Sequence, residues 1–211
     1  MKIFKRGYRV WLVGLLVVVV TGGMLTQCVI TVRQRIHEAS LAPVSLGAAH
    51  HLGEKFNIPE FYVDRNISLS VGREGGSGTT CCMLLPRVWR PGLSVEVRWE
   101  LDDWSNESPD ELLPGKSDSL GSGGLFIAQV PVERYEHAEQ VWVHFFKGNK
   151  VRVVSSSIGS EGTHHPIRDS DPHAGDSATV GRPIHAMFSP AELLEMDRID
   201  KERVKKFGDW R

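Results

Sequence analysis

Leu93-Ser94-Val95-Glu96-Val97-Arg98-Trp99-Glu100-Leu101 alternates apolar and polar residues without a miss. Successive side chains of an extended strand point to opposite faces, so Leu93, Val95, Val97, Trp99 and Leu101 share one side. This is the pattern of a half-buried antiparallel strand with Trp99 in a core. Glu96 and Arg98 are expected on the opposite, solvent side, where their replacement should matter little. Outward from this stretch, further strand-like runs occur at Val44–His51, Phe61–Val71, Thr79–Leu85, Leu125–Val132, Val141–Phe146 and Val151–Ser155. The last two flank Lys147-Gly148-Asn149-Lys150 and read as a β-hairpin with a Gly-Asn turn. About seven short strands with no helix between them predict a mainly β chain, an antiparallel β-sandwich over residues 43–158. The 21 Gly and 11 Pro agree with many turns, and no repeat of 20–50 residues is present.

Two polar inserts interrupt the strand pattern. Residues 102–124 are acidic and Gly/Ser-rich and read as a long loop, while residues 159–188 are His-, Gly- and Pro-rich and read as a flexible segment. Residues 189–211 then form a C-terminal helix. Ser189-Pro190-Ala191-Glu192 has the spacing of a capping box with Pro at the first helical position, which predicts a helix from about Pro190 to Phe207. Acidic residues crowd its first half and basic ones its second, matching the helix dipole. Leu193, Met196, Ile199 and Phe207 provide a thin apolar stripe for docking.

The start of the chain is of another kind. Val10 to Val32 gives 23 residues without a charge, long enough as a helix for a hydrocarbon core of about 30 Å. Residues 1–9 read as a basic cytoplasmic tail, 10–32 as a transmembrane anchor and 33–42 as a juxtamembrane stalk. Four basic residues before the span place the N-terminus inside and the main domain in the periplasm, tethered to the inner membrane by a single pass. Two other readings stay open: a lipidated Cys28 within Leu25-Thr26-Gln27-Cys28, and a cleaved signal peptide. Every acidic residue lies from Glu38 onward, which leaves residues 37–211 with 19 basic against 26 acidic side chains. Such a balance excludes a uniformly basic nucleic-acid binder.

Chemistry-bearing motifs are sparse. Cys81-Cys82 either places one thiol in the core and one near the surface, as alternate strand positions do, or closes a vicinal disulfide in an oxidising compartment. Directly adjacent His50-His51 and His164-His165 diverge, and no carboxylate is assigned to a particular histidine, so neither a metal site nor acid–base chemistry is proposed. Gly72-Arg73-Glu74-Gly75-Gly76-Ser77-Gly78 lacks the Lys-Ser/Thr of a phosphate loop. No catalytic residue and no cofactor is assigned, and the chain is read as a non-enzyme. Asp102, Asp103 and Trp104 are the candidate partner-binding residues, an aromatic anchor ringed by charge that would steer a basic partner.

The block Cys81-Cys82-Met83-Leu84-Leu85-Pro86-Arg87-Val88-Trp89-Arg90-Pro91-Gly92 running into the alternating strand and Trp99 resembles the proteobacterial family called domain of unknown function 3304. Val130-Pro131-Val132-Glu133-Arg134-Tyr135 and Val141–Phe146 are similar to its later strands, so the resemblance covers roughly residues 44–166. His50-His51 stands where the family tends to show Asn-His. The resemblance implies an exported, membrane-tethered β domain without known catalytic residues. It also implies a neighbour of type VI secretion lipase effectors, similar to immunity or accessory proteins. The resulting expectation is a membrane-anchored periplasmic domain that binds a protein such as a secreted lipase. The alternative is an envelope structural or ligand-binding domain.

Overall fold

The computed structural model describes residues 40–65, 67–105 and 122–208. Ten strands and one helix lie among them: β1 (Leu41–His50), β2 (Phe56–Val63), β3 (Ile67–Val71), β4 (Thr80–Pro86), β5 (Ser94–Asp103), β6 (Ser122–Pro131), β7 (Val141–Phe146), β8 (Lys150–Ser155), β9 (Thr179–Val180), β10 (Arg182–Ile184) and α1 (Pro190–Phe207). The strands make two five-stranded sheets, ordered β4-β1-β7-β8-β9 and β10-β6-β5-β2-β3. Residues 43–211 constitute one unit and residues 1–42 another, of which only 40–42 are described. The expected tail, membrane span, most of the stalk and Cys28 lie outside the described residues. Among the described residues no helix is long and apolar enough to cross a membrane.

Trp99 sits where the alternation puts it. Val95, Val97 and Trp99 are buried, and β5 is hydrogen-bonded on both sides, to β2 and β6. The two sheets meet through aromatic rings: Phe145 on β7 lies 5.3 Å from Phe61 and 5.7 Å from Trp99, and Trp99 stacks on Phe126 at 5.6 Å. Each buried side chain of this size stabilises by about 1.5–3 kcal/mol. Gly181 stands between β9, in one sheet, and β10, in the other. A Cβ there would overlap the Trp99 ring, so the chain can cross between sheets at this point only as glycine.

Three expectations are corrected. The sandwich is not wholly antiparallel, because β1 runs parallel to β7, from Leu46 opposite Val141 to His50 opposite Phe145. The run Phe61–Val71 is two strands, broken by a turn in which Asp64 and Arg65 take left-handed φ of 49° and 63°. Residues 159–188, expected to be flexible, contain β9 and β10 and bury His165, Ile167 and Ala174. The cause is β7, all six of whose side chains are buried. Val141, Val143 and Phe145 face the inter-sheet core. Trp142 and Phe146 on the outer face pack with Val154, Ile167 and Ala174 into a second small core. Gly47 on β1 faces Trp142 across the parallel register, and a Cβ there would come within 2.8 Å of the indole ring. The hairpin forms as expected, with Phe146 opposite Lys150 and left-handed Gly148 and Asn149 between them.

Arg98 is the fourth correction. It points away from Trp99, as alternation requires, yet only 6% of it is exposed. The chain leading into α1 covers it. Arg98 Nε donates to Glu96 at 2.9 Å, Nη1 to the Met187 carbonyl at 2.5 Å and Nη2 to Glu192 at 2.6 Å, while Phe188 lies 5.0 Å from the guanidinium. Glu192 is also the capping-box residue, its carboxylate accepting from the Ser189 amide at 2.8 Å. The helix is therefore held by its polar first turn, while Leu193, Leu194 and Ile199 remain exposed.

Trp99→Ala should cost about 3–5 kcal/mol in chemical denaturation. Arg98→Ala, through charged hydrogen bonds worth about 1.5–3 kcal/mol, should also destabilise and expose residues 186–192 to protease. Arg98 and the Ser189 cap hold the Glu192 carboxyl at about 2, below its ordinary 4.5. Its contribution is thus complete above pH 4.5 and lost as pH falls through about 2. Amide protection at the start of α1 should fade across that window, and Glu192→Gln should lack it throughout. Unchanged protection in both tests would show that the helix is docked by something else.

Candidate functional site

Asp102 and Asp103 end β5 and Trp104 follows it, at the root of the insertion whose residues 106–121 lie outside the described ones. The three residues are built into the end of the sheet's central strand. Asn57 on β2 donates Nδ2–H to Asp102 at 3.1 Å, and its Oδ1 accepts the Trp104 indole N–H. The Trp104 amide donates to the Lys55 carbonyl at 2.8 Å, and Arg73 lies 4.5 Å over the indole ring. Burial pushes the Asp102 carboxyl up, against the Asn57 hydrogen bond and the Arg73 charge, which lower it. Asp103 caps the Ser105 amide at 2.9 Å, and its hydrogen bonds to Ser105 pull its carboxyl down. The result is a half-buried, fixed aromatic post with one low-pKa carboxylate beside it.

Cys81 and Cys82 on β4 are both exposed, with their sulfur atoms against each other. The alternative of one thiol packed in the core does not hold, because both side chains are exposed while Met83 and Leu85 further along β4 are buried. The pair lines a cleft of about 550 Å³ with Arg65 and the α1 residues Met196, Ile199 and Arg203.

The histidines make a third constellation, which the sequence pattern did not yield. His50 and His51 diverge, as adjacent positions must. His50 Nε2 meets the Gly72 carbonyl at 2.8 Å. His51 turns the other way, with Nε2 2.9 Å from His144 Nδ1 and Nδ1 2.7 Å from Asp169 Oδ1. His144 Nε2 continues the series to His165 Nε2 at 3.0 Å, and His165 Nδ1 ends it on the Ile158 carbonyl at 2.7 Å. His51 stacks on Phe146 at 4.5 Å, and Trp142 meets His165 edge-on. Burial, with the charges of His51, His165 and Arg152, drives His144 well below the ordinary histidine range. Burial also lowers His51, against the opposing pull of Asp169, and lowers His165. The signal available in sequence was His144 itself, the one polar residue in Val141–Phe146, because a polar group buried in a sheet needs partners. Asp169, 25 residues further on, could not be assigned to it from spacing.

The Asp169 end of the series opens on a cleft of about 330 Å³, whose wall includes His51, Lys147, Lys150, Asp169, Asp171 and Asp176. Each ring nitrogen of His144 points at a different neighbour, so the rings are strung along a line. Among the described residues no group of three or more His, Cys, Asp or Glu side chains is arranged to hold a metal ion.

Residues 53–153 match the family described as "Protein of unknown function (DUF3304)", in agreement with the resemblance carried by the Cys81–Trp99 block. No curated protein and no solved structure matches the chain. The matched span contains Asn57, Trp104 and His144, but ends before His165 and Asp169.

Removing the Asn57 side chain should free the Trp104 indole. Losing a hydrogen bond worth up to about 1.4 kcal/mol should speed exchange of that indole proton about tenfold in Asn57→Ala, read by NMR. Exchange as slow as in the parent would mean that Arg73 and the loop hold the ring unaided.

Proposed function

We propose that this chain, whose residues 53–153 match the DUF3304 family, is a membrane-anchored periplasmic protein-binding domain, an immunity or accessory protein directed at a secreted lipase. The observation that supports it is the post at the end of β5. Trp104 is fixed by Asn57 and Arg73, with the Asp103 carboxylate beside it, at the foot of an acidic insertion carried by a rigid sheet. Half-buried aromatics in fixed orientation are the usual energetic centres of interfaces, and nearby carboxylates raise association rates with basic partners. Long connections on rigid scaffolds commonly carry binding. The envelope-ligand alternative draws on the 330 Å³ cleft beside His51, of a size for a small polar molecule.

The two ingredients can be separated, because Asp102 braces Asn57 and Asp103 does not. Against a lipase encoded beside this chain, Asp103→Lys should slow association by about tenfold at low salt and leave dissociation nearly unchanged, and added salt should have the same effect on the parent. Asn57→Ala should instead speed dissociation. No binding to such a lipase, together with no protection of cells exposed to it, would overturn the protein-binding reading.

A further inference from the structure

Four contacts run in series from the Ile158 carbonyl through His165, His144 and His51 to the Asp169 carboxylate, each 2.7–3.0 Å long. Each needs one proton between its two atoms. Both ends are acceptors, so the series must find four protons within three imidazoles. Three neutral rings bring only three. Whichever way their tautomers point, at least one contact of the neutral series sets two lone pairs face to face. One added proton fills all four contacts. A second would set N–H against N–H at a ring-to-ring contact. The arrangement therefore has room for one excess proton and no more, placed at His51 against the Asp169 carboxylate. His144 is fully buried with Arg152 nearby, which keeps the charge off the central ring.

We propose that Asp169, His51, His144 and His165 form a histidine clasp that fastens residues 157–178 to the outer face of the β1–β7 sheet and releases them on acidification. That segment has no regular strand or helix, and it carries both Asp169 and His165, whereas His51 and His144 belong to the sheet side. Ile167 and Ala174 pack on the same face and Arg152 bonds the Ala174 carbonyl at 2.6 Å, so the clasp sets the pH dependence of a hold it shares with apolar contacts. The other charged groups facing the rings are His50, next to His51, and Arg152, while Lys147, Lys150, Asp171 and Asp176 stand around the cleft at the Asp169 end. Burial lowers the proton affinity of all three rings in the closed state, while rings released to water titrate near their ordinary 6.5. A group lowered on closing contributes stability that is complete above 6.5 and lost as pH falls through its closed-state value. In acid the closed clasp has room for one proton and the open one takes three, so opening then draws in up to two more.

Hydrogen exchange on the full-length protein, expressed as protection factors per segment, tests this between about pH 7.5 and pH 5, the range in which histidine titrates. Protection of residues 157–178 should fall by more than tenfold and up to about a hundredfold per pH unit below about 6.5, while β2 and β5 stay protected. Asp169→Asn, a change at an exposed position, should move the opening upward by about one pH unit, because it removes the charge that holds the first proton. His164→Gln, adjacent but outside the series, should leave it unmoved. Protection that is flat with pH, or lost together with β2 and β5, would overturn the proposal. An unshifted midpoint in Asp169→Asn would do the same.

Discussion

Six consecutive buried side chains on β7 leave that strand without a solvent face, so the rest of the molecule has to supply two covers for it. The inner cover is the second sheet, brought against Phe145 by Phe61 and Trp99. The outer cover has to come from elsewhere in the chain. It comes from the irregular segment after β8, which buries Ile167 and Ala174 on Trp142 and Phe146. The crossing at Gly181 follows from the same need: once the chain has served one sheet it passes beneath Trp99 to the other.

Each sheet thus has an outer face closed by chain from beyond β8, and in each case a polar residue of a central strand marks the place. His144 on β7 receives His165, while Arg98 on β5 receives Glu192 and the Met187 carbonyl. Apolar packing alone would admit several ways of laying a Gly- and Pro-rich segment across a sheet. A buried imidazole or guanidinium left without partners costs several kcal/mol, so only arrangements that bring the right acceptor survive. The two places differ in their response to acid. Glu192 loses its charge only near the bottom of the carboxylate range, whereas burial holds the three rings below the ordinary histidine range.

Local rules carried the sequence reading as far as local rules reach. Trp99, the Lys147–Asn149 turn and the Ser189 capping box were legible because strand alternation, turn chemistry and helix capping act over two to four residues. Arg98 was misread for the complementary reason. Alternation tells which face a residue takes, and says nothing of a cover arriving from position 187 onward. Asp102, Asp103 and Trp104 were found as a group, but their bracing by Asn57 and Arg73 depends on strand pairing that no spacing reveals. The absence of alternation in Val141-Trp142-Val143-His144-Phe145-Phe146 was itself a sign of burial on both faces.

The parallel β1–β7 pairing bears on modularity. The family match begins at residue 53, after β1 has ended, and stops at residue 153, before either outer cover begins. A gene fragment cut to those limits would encode a sheet whose middle strand lacks its β1 neighbour, with Trp142, His144 and Phe146 bare on one side and Arg98 bare on the other. Unpaired strand edges and naked aromatic faces are the raw material of aggregation. The matched span and the foldable unit are therefore of different lengths, and the longer one, from β1 through the first turn of α1, is the one that holds every cover the two sheets need.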